Sequence, residues 1–162
     1  MKINQLFTMM AIALATVLGV CSCGSDDDEP EAAVATQVAG SYTGQEIILV
    51  MADESSNETK TYEFVKVTDT SVDMTIPQSG MGPMSIPPLS VKNIPLAKGE
   101  NNIIGKLASY TGTVTTDSGA ERAYTISNVV IMFNGNTVVA SFSLKYGNMP
   151  FAMETSFTGT KK

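Results

Sequence analysis

Histidine is absent from this 162-residue sequence, and its absence excludes several kinds of chemistry. Ser-His-Asp catalysis, Cys-His catalysis, histidine-ligated zinc and a histidine pH switch all need an imidazole group. Basic residues are also few, ten Lys and Arg against sixteen Asp and Glu. A nucleic-acid-binding protein needs a basic surface that neutralises phosphates, so the sequence predicts no nucleic-acid partner.

Cysteine is scarce as well, and its two copies are Cys21 and Cys23. They offer too few ligands for a zinc site, because no third Cys and no His accompany them. Both follow an apolar run over residues 6–20, which is too short to cross a bilayer of about 30 Å as a helix. Lys2 before this run, and small residues after it, are typical of a secretory signal peptide, predicted here over residues 1–22.

The end of this signal resembles a bacterial lipobox in the residues Val20-Cys21-Ser22-Cys23. The resemblance implies cleavage after Ser22 and acylation of Cys23. Leu18-Gly19-Val20-Cys21 is a competing frame with a larger residue at the cleavage position. Each buried methylene of an acyl chain contributes about 0.8 kcal/mol, so several chains on one residue would anchor the protein to a membrane.

Residues 23–36 carry many charges and a proline without any apolar period, which predicts a disordered tether. Its acidic run also resembles the surface-export signal of Bacteroidota lipoproteins, which implies an outer-membrane protein facing the cell exterior. A plain spacer at the inner face of the outer membrane is the alternative. The run lacks the Gly turn and distal Glu of an EF-hand loop, so no metal site is predicted there. The residues of the candidate export signal are Asp26, Asp27, Asp28 and Glu29.

Residues 37–162 alternate apolar and polar side chains in short segments, which predicts an all-β domain. Asn134-Gly135 is a strong hairpin signal before the segment at 138–146, so residues 124–133 are the expected partner strand. A second hairpin joins residues 61–67 to 72–76. About eight strands without crossover helices favour an antiparallel up-and-down β-barrel, with an open two-sheet sandwich as the alternative.

The two ends of this domain resemble the calycin-like β-barrel domain of small Bacteroidota lipoproteins, over nearly all of residues 37–162. Calycins open with Gly-x-Trp on the first strand and place an Arg from the last strand over that ring. Gly40-Ser41-Tyr42 and Lys161 stand at the corresponding places here. Tyr and Lys would form a weaker cation–π contact than Trp and Arg. The resemblance implies a barrel fold and a membrane location, and no particular ligand.

Catalysis would need a general base, and only scattered carboxylates are available, at Glu46, Glu63, Asp73 and Glu154. Asp73 and Glu154 alternate with apolar neighbours and should face solvent. We therefore expect a non-enzymatic protein with no catalytic residue, metal or cofactor.

A binding role fits better, because an eight-stranded barrel is either just filled by side chains or holds one small ligand. The leading hypothesis is a small apolar or amphipathic ligand. The rival is an accessory or adhesion module that binds a surface protein or glycan through its outer loops, such as the Met-containing loop at 78–84. The inward residues predicted to line the barrel are Tyr42, Met74, Ile76, Val138, Phe142, Leu144, Phe151 and Met153.

Overall fold

The computed structural model describes residues 32–80 and 85–162, and Ala32–Lys162 form one compact unit. The signal peptide at 1–22, the lipidation site Cys23 and the acidic run at 26–29 lie outside the described residues. No helix in the described part is long and apolar enough to cross a membrane. The elements are α1 (Val34–Val38), β1 (Gly40–Val50), β2 (Asp53–Thr68), β3 (Ser71–Ile76), β4 (Leu89–Lys98), β5 (Ile103–Thr115), β6 (Glu121–Asn134), β7 (Thr137–Tyr146) and β8 (Met153–Lys161).

The eight strands pair in chain order into a closed barrel, and β8 pairs with β1 to complete it. Every neighbouring pair is antiparallel, so the predicted up-and-down barrel is confirmed and the sandwich is not formed. The hairpin signal before residue 138 is also confirmed, since β6 pairs with β7 across a turn at residues 135–136. Gly135 has φ +55° there, a conformation that glycine adopts at little cost.

An up-and-down barrel places alternate connections at opposite ends. We call the end that carries α1 the helix end and the opposite end the loop end. The loop end carries the connections β1–β2, β3–β4, β5–β6 and β7–β8. The helix end carries α1 and the connections β2–β3, β4–β5 and β6–β7.

The short helix α1 corrects the predicted tether, which was expected to continue to residue 36. Ala35 and Val38 are buried, and the Ala35 amide donates to the Asp69 carbonyl in the β2–β3 turn at 3.0 Å. The Tyr42 hydroxyl donates to the Val38 carbonyl at 3.0 Å. Lys161 Nζ lies 5.9 Å from the centroid of the Tyr42 ring, within cation–π range. The apolar residues before β1 therefore close the helix end of the barrel.

Aromatic side chains fill the barrel interior nearest α1. Tyr42, Phe64 and Phe133 meet with ring centroids 5.0 to 5.7 Å apart, and Tyr62 stacks on Phe157 at 4.1 Å. All five are at most 2% exposed. Edge-to-face and stacked rings of this kind contribute about 0.5–1.5 kcal/mol each beyond the area they bury. This part of the interior is a packed core.

Phe151 does not lie inside the barrel, contrary to the prediction from alternation. It is 53% exposed and stands in the β7–β8 connection, because β8 begins only at Met153. Pro150 precedes it and has no amide hydrogen to donate to a ladder, which disfavours strand pairing at this point. The alternation of β8 therefore begins two residues later than the sequence predicts.

Candidate functional site

The loop end of the barrel carries an open groove with a volume of about 480 Å³. Its walls are the β3–β4, β5–β6 and β7–β8 connections, and its lining includes Gln78, Ser85, Thr116, Arg122, Tyr146 and Met149. Ligand sites in proteins usually measure about 300–1,000 Å³, so this loop-end groove is large enough for a small molecule. A second cavity, of about 290 Å³, lies at the helix end beside the β4–β5 and β6–β7 turns.

The β5–β6 wall is held rigid by hydrogen bonds around Thr116. Its amide donates to the Ala120 carbonyl at 2.8 Å, and its hydroxyl accepts from the Ala120 amide at 3.2 Å. The hydroxyl also bonds to that of Ser118 at 2.9 Å. This turn therefore presents a preformed surface to the groove.

The β7–β8 wall is tied to β6 by the Gly147 amide, which donates to the Ala123 carbonyl at 2.8 Å. The Met149 amide donates back to the Tyr146 carbonyl at 3.2 Å. The hydroxyl of Tyr146 is buried and has no hydrogen-bond partner among the described residues. A buried hydroxyl without a partner costs about 1–3 kcal/mol, so this group has an unmet capacity for hydrogen bonding.

The β3–β4 wall closes on a pair of backbone hydrogen bonds between Ser79 and Ile86. The Ser79 amide donates to the Ile86 carbonyl at 3.1 Å, and the reverse bond measures 2.8 Å. Gln78 Nε2 also donates to the Ser85 hydroxyl at 2.7 Å. These bonds fix the base of the β3–β4 connection.

A buried glutamate inside the barrel supports this base. Glu46 of β1 is 1% exposed, and its carboxylate accepts a hydrogen bond of 2.5 Å from the Tyr62 hydroxyl and one of 3.3 Å from the Ser79 hydroxyl. Burial raises the pKa of the Glu46 carboxyl, while these two donors and the charge of Lys60 lower it in part. Buried carboxylates need such donors, because an unpaired charge in the interior is costly.

The proton between these two groups belongs to Tyr62. Burial, and next the nearby Glu46 carboxylate, raise the pKa of the Tyr62 hydroxyl well above its ordinary value. The phenol therefore remains a donor at neutral pH. The Glu46 carboxylate accepts hydrogen bonds from both Tyr62 and Ser79. Its role is therefore to hold Ser79, and with it the β3–β4 wall, in place.

Lys60 completes this support from β2. Its ammonium donates to the Gln78 carbonyl at 2.9 Å and forms an ion pair of 2.6 Å with Glu58. The Lys60 side chain is 18% exposed, so the contact is only partly screened by solvent. Two residues of the loop base, Gln78 and Ser79, are thus held by charged side chains of the barrel.

The other carboxylates named as candidate bases stand away from the groove. Asp73 and Glu154 lie on the outer face, as the alternation predicts. Asp73 accepts from Lys92 Nζ at 2.9 Å, and Glu154 accepts from the Ser143 hydroxyl at 2.8 Å. Glu63 is exposed on β2. Within residues 32–80 and 85–162, no group of three or more acidic or cysteine side chains could hold a metal ion.

No protein-family model and no curated protein matches this chain. Among solved structures, the barrel is similar to the crystal structure of a "putative outer membrane protein" from Bacteroides fragilis. The TM-score is 0.62 at 15% sequence identity, over 80% of this chain and 53% of that protein. The likeness therefore shows the fold alone, and this chain spans about half the length of that protein.

The residues predicted to line the barrel and those that line the groove are different sets. Seven of the eight predicted side chains are buried at 0–9% exposure, with Phe151 as the exception. Sequence reasoning missed Arg122 and Tyr146 in the groove, and the interior position of Glu46. A signal was present, since Arg122 is two residues before the inward-facing Tyr124, and Glu46 lies in step with Tyr42.

Proposed function

We propose that this chain is a membrane-anchored, surface-exposed lipoprotein whose non-enzymatic barrel binds a small amphipathic ligand in the loop-end groove. The observation that carries the proposal is the groove itself, of about 480 Å³, with three walls that are hydrogen-bonded in place before any ligand arrives. Such preorganisation lowers the entropy lost on binding.

The proposal moves the ligand from the barrel centre to its loop end. The aromatic cluster fills the barrel interior on the side of α1, where Tyr42, Tyr62 and Phe64 are at most 1% exposed. A ligand at that depth would have to displace well-packed rings, which is costly in a close-packed core. The groove offers apolar surface from Pro87, Pro88 and Met149 beside polar side chains, which suits an amphipathic molecule.

The location rests on the lipobox-like residues ending at Cys23 and on the acidic run that follows it. The structural likeness to the "putative outer membrane protein" from Bacteroides fragilis supports it only at the level of the fold. The described chain enters the barrel at the helix end, opposite the groove. An anchor upstream of residue 32 is therefore compatible with an open groove.

Ligand binding is tested by native mass spectrometry of the full chain purified from its own membrane. We expect a bound small molecule, which Ser118→Trp should exclude because its indole would fill the groove. Glu100→Trp is the matched control, since it places the same indole at the helix-end cavity. If both variants retain the molecule, or if the wild-type protein carries none, the proposal fails.

Anchoring is tested separately by Cys23→Ala, which should remove the acyl chains and release the protein from membranes. Unchanged membrane association of this variant would refute the lipobox frame. Substitution of Asp26, Asp27, Asp28 and Glu29 by Ala should lower surface labelling of intact cells while the lipid remains. Unchanged surface labelling of this variant would show that the acidic run is a plain spacer.

A partner protein or glycan at the outer loops is a second candidate, favoured by two exposed apolar side chains at the loop end. Met51 in the β1–β2 turn is 70% exposed, and Phe151 in the β7–β8 connection is 53% exposed. Contiguous exposed apolar surface commonly marks a contact site, and these two connections are neighbours because β8 pairs with β1. Crosslinking on intact cells should then recover one dominant partner, and Met51→Ser with Phe151→Ser should weaken its capture.

A further inference from the structure

The loop-end groove contains a cationic side chain without a partner. Arg122 begins the inward-facing row of β6, two residues before the buried Tyr124, so alternation directs it toward the end of the barrel interior. Its Cδ lies 3.8 Å from the place where a Cβ on Gly147 would stand. Within the described part of the chain, Arg122 makes no ion pair and no hydrogen bond. Its guanidinium is therefore free to bind a ligand.

Tyr146 supplies a second donor on the neighbouring strand. It pairs directly with Tyr124 across β6 and β7, so it is a diagonal neighbour of Arg122. Residues in this relation lie within reach of long side chains. The Tyr146 hydroxyl is buried without a partner among the described residues, and Tyr146 is one of the residues that line the groove. An arginine and a phenol with unused donors thus border one concave surface.

The chemistry that uses both donors is a carboxylate. A guanidinium binds two carboxylate oxygens through parallel N–H groups, and hydrogen bonds to a charged oxygen are about twice as strong as neutral ones. Pro87, Pro88 and Met149 in the same groove can contact the uncharged body of such a molecule.

We propose that the loop-end groove selects a ligand carrying a carboxylate, which Arg122 and Tyr146 bind directly. This inference rests on the function proposed above. The body attached to this carboxylate is an alkyl chain or a sugar ring, and the two are separated by experiment.

Asp117 provides an internal check of this assignment. It lines the same groove from the β5–β6 turn and adds a negative charge near the proposed site. A carboxylate ligand is repelled by this charge, whereas an amine would be attracted. Asp117→Asn should therefore tighten binding of a carboxylate.

Isothermal titration of the full chain with four probes tests the inference. The probes are decanoate with its neutral counterpart decanol, and glucuronate with its neutral counterpart glucose. We expect one of the two acids to bind about tenfold or more tightly than its neutral counterpart, as one charged hydrogen-bonded contact predicts. Decanoate would identify an alkyl body and glucuronate a sugar ring.

The variants Arg122→Gln and Tyr146→Phe test whether the groove residues cause the preference for the acid over its neutral counterpart. Arg122→Gln should abolish the preference for the acid, and Tyr146→Phe should reduce it, while neither substitution should lower the melting temperature. Lys106→Gln, which removes an exposed charge from β5, is the matched control and should bind like wild type.

Equal binding of each acid and its neutral counterpart would overturn the inference, and so would an acid preference that survives Arg122→Gln. If decanol and decanoate bind equally and Ser118→Trp removes both, the groove still binds a ligand and only the carboxylate assignment fails. If no probe binds and no molecule accompanies the purified protein, the proposed function itself fails.

Discussion

Replacing Tyr62 by Phe removes one hydroxyl from the barrel interior and keeps the ring that stacks on Phe157. The hydroxyl is the closer of the two donors to the Glu46 carboxylate, at 2.5 Å, and both residues are at most 1% exposed. The stacked contact at 4.1 Å is unchanged in Phe, so the substitution isolates a single hydrogen bond.

The expected loss of stability follows from the charge of the acceptor. A hydrogen bond to a charged group contributes about 1.5–3 kcal/mol, and a neutral one about 0.5–1.5 kcal/mol. With Glu46 ionised, Tyr62→Phe should therefore lower the free energy of unfolding by about 2 kcal/mol. The remaining Ser79 donor, at 3.3 Å, is too long to replace it.

The pH dependence has a definite sign. Burial raises the pKa of Glu46 in the folded protein above its ordinary value of 4.5, so at a pH between the unfolded and folded pKa values the folded state holds a proton that the unfolded chain has released. The stability from this proton is complete below the unfolded pKa and is lost as the pH rises through the folded pKa. The loss caused by Tyr62→Phe should accordingly shrink to about 1 kcal/mol once Glu46 is protonated, when only a neutral bond is removed.

Urea unfolding at about pH 8 and about pH 4 measures this difference, with a double-mutant cycle to Glu46→Gln. The coupling energy between the two sites should be large at the higher pH and small at the lower. Tyr146→Phe is the matched control, because its hydroxyl has no partner among the described residues and its removal should not lower the free energy of unfolding. The reasoning is refuted if Tyr62→Phe costs the same in the Glu46→Gln background, or no more than Tyr146→Phe.

Two further variants test the strand connections and the barrel wall. Met51 and Ala52 form the β1–β2 turn with φ of +53° and +70°. Asn and Gly adopt positive φ more readily, so Met51→Asn with Ala52→Gly should raise the free energy of unfolding by about 1–2 kcal/mol. An unchanged thermal melt would contradict this. Tyr124→Phe removes the hydroxyl that donates to the Ser90 carbonyl at 2.6 Å and accepts from the Ser90 amide at 3.3 Å. The free energy of unfolding in urea should fall by about 1–3 kcal/mol. A wild-type midpoint would disprove this loss.

The loop-end groove could not be derived from the sequence, because its walls come from three connections far apart in the chain. Each connection is read locally as a turn or loop, and no local pattern relates one of them to the others. Arg122 lies in a segment with the composition of an ordinary exposed strand end. Only the closure of β1 onto β8 brings the three connections to one rim.

Glu46 shows the same limit inside the barrel. Alternation from Tyr42 places residue 46 on the inward face, yet a carboxylate in that position conflicts with the usual preference for apolar interiors. The conflict is resolved by Tyr62 and Ser79, which are sixteen and thirty-three residues away in the chain. Tertiary contacts overrule the local preference.

Tyr124 illustrates how the barrel wall is completed by a side chain. The strands β4 and β5 share only three register pairs, between residues 96–98 and 103–105. Tyr124 reaches Ser90 of β4 across Gly112 of β5, where a Cβ would lie 2.5 Å from its hydroxyl. The missing side chain of Gly112 therefore makes room for the tyrosine.

The sequence by itself determined the all-β class, the up-and-down hairpins and the outward position of Asp73 and Glu154. These follow from alternation and turn chemistry, which act between neighbouring residues. The tertiary structure decided that the barrel closes, that Phe151 is outside and that Glu46 is inside. It also decided that the groove lies at the loop end, because packing and long-range hydrogen bonds join residues that no local pattern relates.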